Sequence, residues 1–170
     1  MIKMQNRPKL VIEKDRIDHI LLGLGWIGWI FLALLPIFYY SELPAEIPRH
    51  YGLDGQADAW DDKGMIWSLP TIGSILFFGL MVLRRFPHLF NYPVEITEAN
   101  AYRHYKSAAR LMTVLNTVII LSFAYITFAT IQSGMGSMPG LGSWFLPIFL
   151  LLIFGAIALY LYKTLAKRDQ

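Results

Sequence analysis

Four uncharged, strongly apolar runs, residues 20–40, 65–83, 111–131 and 143–162, alternate with polar segments along the chain. Each is close to the ~20 residues that, at ~1.5 Å rise, cross a hydrocarbon core of ~30 Å, so each predicts a membrane-spanning helix. Before the third run, Ile96-Thr97-Glu98-Ala99-Asn100 predicts a helix start, with Thr97 as N-cap and Glu98 at the positive end of the helix dipole. No breaker follows before Ser133, so one helix is expected over about 98–131, its first turns outside the bilayer and the remainder crossing it. The expected architecture is all-α: one membrane domain over residues 1–170, an integral membrane four-helix bundle with an ordered extracytoplasmic loop at 41–64 and a cytoplasmic loop at 84–110. The first run exceeds the 7–15 apolar residues of a signal peptide core and lacks a small-residue cleavage pattern, so it is expected to remain in the mature protein.

Composition agrees, since 55% of the 170 residues are hydrophobic. Charge adds orientation. Lys3, Arg7, Lys9, Lys14 and Arg16 precede the first run, Arg84, Arg85, Arg103, Lys106 and Arg110 separate the second from the third, and Lys163, Lys167 and Arg168 follow the fourth. Thirteen of the fifteen basic residues therefore fall on one side, and the positive-inside bias predicts a multi-pass protein of the plasma (inner) membrane with both termini cytoplasmic. The pI near 9.2 then reflects membrane orientation and contact with the lipid bilayer rather than nucleic acid, for which no binding is expected. Tyr39, Tyr40, Trp60, Trp67, Trp144, Tyr160 and Tyr162 stand at run boundaries as an interfacial belt. Trp26 and Trp29 lie deeper, where they fill gaps or face acyl chains.

The runs are poor in chemistry. No Asp, Glu, Lys or Arg lies inside them and no inverted repeat is evident, which argues against a secondary transporter. There is no Cys, so thiolate and disulfide chemistry are absent. The segment 132–142 reads as a Gly-rich, flexible turn without chemical content.

The 41–64 loop differs from the rest of the chain. Glu42, Glu46, Asp54, Asp58, Asp61 and Asp62 face only Arg49 and Lys63, a local charge of minus four on a chain whose net charge is +3. In the structural reading, Gly55 supplies a positive φ, Asp58 accepts backbone hydrogen bonds in a turn, Lys63 pairs with an Asp or a lipid phosphate, and His50 is packed near the membrane surface. His50, Asp54 and Asp58 are weak metal candidates, because their spacing matches neither a zinc nor a calcium pattern and the intervening glycines break any helix that would align them. A base–orienter pair of His50 with Asp54 or Asp58 lacks a nucleophile context. The chain is thus read as non-enzymatic and without a cofactor.

The loop pattern Leu43-Pro44-x-x-Ile47-Pro48-x-His50-Tyr51-x-x-x-Gly55-x-x-Asp58-x-Trp60-x-x-Lys63, followed by Leu69-Pro70, resembles a bacterial membrane family, domain of unknown function 1648. That domain begins the sporulation-delaying-toxin immunity proteins. A second stretch, Asn91-Tyr92-Pro93-x-x-Ile96-Thr97-Glu98-x-Asn100-Ala101, is similar to the family's second signature, and the resemblance covers roughly residues 20–115. It implies a bundle of membrane helices with the loop outside, and an immunity-like role. Residues 112–170 do not carry the signature with which full-length immunity members continue.

Together these readings predict a binding, sensing or immunity-like signalling module. Its acidic loop would attract a cationic peptide or a membrane-protein partner, with Tyr51, Trp60 and Trp67 adding apolar contact and His50 tuning the site. The alternatives are an accessory subunit of a larger membrane complex and an outer-face metal-dependent enzyme.

Overall fold

The structure is a computed structural model and describes residues 7–166, so Lys3, Lys167 and Arg168 of the charge argument lie outside the described residues. Four long helices dominate: α1 (Arg16–Tyr39), α2 (Ser68–Leu83), α3 (Ala101–Gly134) and α4 (Phe145–Ala166). With the 3₁₀ turn Lys63–Trp67 extending α2, all four are long and apolar enough to cross a membrane, as expected for a multi-pass membrane protein.

The chain is not purely all-α. Two antiparallel strands, β1 (Glu46–Tyr51) and β2 (Ala57–Asp62), form a hairpin between α1 and α2. Glu46 stands opposite Asp62, Ile47 opposite Asp61 and Pro48 opposite Trp60, after which the register shifts on both sides of His50. Pro48 has no N–H to donate and sits beside this irregularity, where a ladder tolerates proline.

The starts of α1 and α3 have local causes. Asp15 caps α1 by accepting from the Ile17 and Asp18 amides, and Asp18 accepts in return from the Asp15 amide. This capping box starts the helix in a polar turn ahead of the apolar run. α3 begins at Ala101, not at 98, and Thr97 is not its N-cap. The Asn100 side chain instead folds back, accepting from the Thr97 amide at 2.9 Å and donating to the Glu95 carbonyl at 3.0 Å. That turn competes with helix and delays its start.

α3 packs against α1, α2 and α4, and it buries the largest share of its surface. Two of its buried polar residues bond across helices: Asn116 Nδ2 donates to the Phe77 carbonyl at 3.1 Å and Thr117 Oγ1 to the Leu21 carbonyl at 3.0 Å. Both are satisfied where no water is at hand. Trp29 reaches α2, its indole N–H donating to Ser74 Oγ at 2.9 Å. α4 lies against α3 with Thr164 as its one buried residue, leaving a nearly complete apolar surface outward.

Candidate functional site

The hairpin is built on the helix ends through one face. Ile47, at 1% exposure, packs with Leu35, Leu43, Ile66 and Ile131, joining β1 to α1, to the 3₁₀ turn ahead of α2, and to α3. Tyr51 extends the same attachment, its hydroxyl lying 2.8 Å from Thr130 Oγ1 on α3. Burial pushes the Tyr51 phenol's pKa up, against the hydrogen bond with Thr130.

The turn is closed by the Gly55 amide donating to the Gly52 carbonyl and the Gly52 amide to the Gln56 carbonyl, both at 2.9 Å. Gly55 takes φ +77, as expected at the left-handed position that ends such a loop. Segment 132–142 is no featureless turn: Gln56 forms a bridge with Gly140, and the Leu141 amide donates to the Gly55 carbonyl at 2.7 Å. A Cβ on Gly55 would collide with the Gly142 backbone, and one on Gly140 with the Gly55 carbonyl. Glycine is required on both sides for the backbones to approach.

The opposite face carries the acids. Along β2, Asp58, Trp60 and Asp62 alternate outward while Ala57, Ala59 and Asp61 are half-buried, the period of two expected of a strand. Asp58 Oδ1 lies 2.6 Å from His50 Nδ1, both side chains being exposed, so Asp58 bonds a side chain rather than the backbone amides expected, and His50 is not packed away. Asp54 Oδ1 accepts from the Gln56 amide at 3.0 Å and Asp62 Oδ1 from the Gly64 amide at 2.7 Å, the latter capping the 3₁₀ turn. Asp61 is engaged at both oxygens, by Arg49 at 3.3 Å and by the Asp62 amide at 2.8 Å. Among the described residues, Lys63 forms no ion pair with an Asp. It lies over the Tyr40 ring, 4.8 Å from the centroid, and donates to the Tyr40 carbonyl.

Asp54, Asp58 and Asp62 therefore each use one oxygen for the hairpin and retain a second facing solvent. Trp60 stands between two of them, 49% exposed. Among the described residues, no group of three His, Asp or Glu side chains converges as metal ligands. The geometry offers charge and a ring to a partner.

The second motif lies at the opposite end of the helices. Tyr92 packs with Ala101, Tyr105 and Ala108, and its hydroxyl donates to the Pro87 carbonyl at 2.9 Å. Arg7 lies over the Tyr92 ring at 5.4 Å and donates to the Phe90 carbonyl. Asn91, Pro93, Thr97 and Glu98 are exposed, and Asn100 shapes the turn already described. The motif thus anchors the chain ahead of α1 to the start of α3, and it does not approach the hairpin.

Sequence reasoning missed a charged cluster at that same end. Arg110 on α3 binds Asp18 on α1, Nε to Oδ1 at 2.9 Å and Nη2 to Oδ2 at 3.2 Å, and Nη2 also bonds Asp15. Lys106 lies 3.4 Å from Asp15. The signal was Asp15-x-x-Asp18 before an apolar run, a capping box whose acids need cations.

Residues 27–73, the end of α1, the hairpin and the start of α2, match the family described as Domain of unknown function (DUF1648). The chain carries a DUF1648 domain. The DUF1648 segment thus contains the whole hairpin, whereas the α3–α4 loop that meets its tip lies outside the match. A protein of Archaeoglobus fulgidus described as "Uncharacterized protein" is 26% identical over 110 residues, which cover 60% of this chain and 60% of the relative. No solved structure matches the chain.

Proposed function

We propose that this protein is a non-enzymatic binding or sensing module of the plasma membrane, with its hairpin outside and both termini in the cytoplasm. The hairpin recognises a cationic peptide or protein segment. The observation that carries this reading is the outward row Asp58, Trp60, Asp62, joined by Asp54, on a hairpin whose other face is attached to three helices. An attached hairpin holds its carboxylates in place before the partner arrives, which lowers the ordering cost of binding. Negative potential steers the partner, and the exposed indole adds apolar contact where charge alone gives little affinity. An immunity-like role is one form of this activity, with a cationic or amphipathic peptide as the recognised agent.

A second reading, accessory subunit of a larger membrane complex, is favoured by α4, whose apolar surface is almost wholly uncovered. Co-purification in mild detergent separates the two. A stoichiometric membrane partner lost on polar substitution along α4, with hairpin variants unaffected, supports the subunit reading; salt-sensitive peptide binding abolished by hairpin variants supports the first.

A further inference from the structure

At the end of the helices opposite the hairpin, a cavity of about 330 Å³ opens between the segment preceding α1 and the facing parts of α1, α2 and α3. We propose that this cavity binds a phosphate-bearing anion, with Arg84 and Arg85 as its phosphate-facing residues and Lys14 as a third cation on the rim. The site is remote from the hairpin and independent of its proposed role.

The charges on the cavity wall are unequally committed. Arg110 is held by Asp15 and Asp18, and Lys106 by Asp15 and by the Glu13 carbonyl at 3.2 Å. Among the described residues, none of Lys14, Arg84 and Arg85 has a carboxylate within ion-pair distance. Arg84 is half-buried at the end of α2, and its hydrogen bond goes to a neutral group, from Nη1 to Thr113 Oγ1 at 3.0 Å. That hydroxyl sends its own proton on to the Ala109 carbonyl at 2.9 Å. A guanidinium carries five N–H donors in a planar fork suited to two phosphate oxygens, so most of the donors of Arg84 remain for a ligand. Burial lowers the Arg84 pKa, and the neighbouring charge of Arg85 lowers it further, against the attraction of Asp18. A bound anion relieves both penalties.

Position and lining favour a phospholipid headgroup as the source of the phosphate. Arg84 directly follows the last residue of an apolar span, which is headgroup depth, and Leu10, Leu22 and Met81 add apolar wall beside the cations. The volume is at the small end of ligand pockets, ~300–1,000 Å³, and suits a headgroup rather than a whole lipid.

The test uses the full chain and two sources of phosphate. In one arm the protein is placed in nanodiscs of phosphatidylcholine with or without phosphatidylglycerol; in the other, inorganic phosphate is added in neutral detergent at constant ionic strength. The expected result is a rise in Tm of about 3 °C or more with phosphatidylglycerol, reduced by at least half in Arg85→Gln and in Lys14→Gln. Both side chains are exposed, so these variants should fold as the wild type does in phosphatidylcholine. Lys9→Gln, at a residue that does not line the cavity, should keep the full rise. A rise with inorganic phosphate that Arg85→Gln removes supports the site with a soluble ligand as its occupant. No rise in either arm, or a rise that Arg85→Gln and Lys14→Gln leave intact, overturns the proposal.

Discussion

The backbone amide of Leu141 donates to the carbonyl of Gly55 at 2.7 Å, so the tip of the hairpin and the α3–α4 loop meet main chain to main chain. The contact links two segments more than eighty residues apart, and glycine permits it on both sides. Gly55→Val should therefore destabilise the protein, with about 1–2 kcal/mol from the left-handed backbone alone and more from the collision with Gly142. A Tm lower by about 3 °C or more in detergent is the expected outcome, and Gly140→Ala should act in the same direction. Gly79→Ala is the control, because nothing lies within 4 Å of the added carbon.

At the other end, Arg110→Leu strands the buried Asp18 and leaves Asp15 without its main partner. Loss of one partner from a fully buried pair costs ~3–5 kcal/mol, and partial exposure reduces this to about 1–3 kcal/mol here. Chemical denaturation of the reconstituted protein measures the difference.

The same cluster gives stability a pH dependence of definite sign. The Arg110 hydrogen bond holds the Asp15 carboxyl well below the usual carboxylate range, and the Asp18 amide adds to this. A depressed folded-state pKa contributes stability in full above the unfolded value of ~3.9, and this is lost as pH falls from there through the folded value. Between pH 7 and about 3, wild type should lose more stability than Asp15→Asn. Parallel losses in a thermal melt at each pH would remove this role.

The four spans were legible because a run of about twenty uncharged apolar residues has few other stable fates. The hairpin was not read, although Asp54-Gly55 is a strong turn signal and β2 alternates small and acidic or aromatic residues. Pro48 lies inside β1 and argues against a strand, and the charges on both strands resemble a solvated loop. Gly55 was correctly placed at a positive φ from local turn chemistry. The pairing of His50 with Asp58 was legible as one alternative, but backbone amides for Asp58 and an Asp for Lys63 were misplaced, because those neighbours depend on the strand register, which the 41–64 segment does not reveal when treated as a loop. Thr97 failed as a cap for a related reason, since the Asn100 side chain turns back to take the Thr97 amide and the helix starts only at Ala101. The cluster of Arg110 with Asp15 and Asp18 joins residues more than ninety positions apart, and the local capping-box pattern reports the acids without naming their cation.

Orientation is open to direct chemical test, because the native chain has no Cys. Gln56→Cys and Ser137→Cys should react with an impermeant thiol reagent on intact cells, and Pro93→Cys should react only after permeabilisation. Pro93 is exposed at the end opposite the hairpin, so the reverse labelling pattern would invert the topology.

The central claim is that the acidic hairpin recognises cationic segments, and titration of a lysine-rich amphipathic peptide against the reconstituted protein tests it most directly. Asp58→Asn with Asp62→Asn removes two charges from the outward row, and Asn at 62 can still cap the 3₁₀ turn. With screening over ~8–10 Å at 0.1–0.15 M salt, the account predicts that Kd rises tenfold or more on going from 50 to 500 mM salt and by a similar factor in the double variant, at unchanged Tm. A Kd that stays the same under high salt and in the double variant would contradict it.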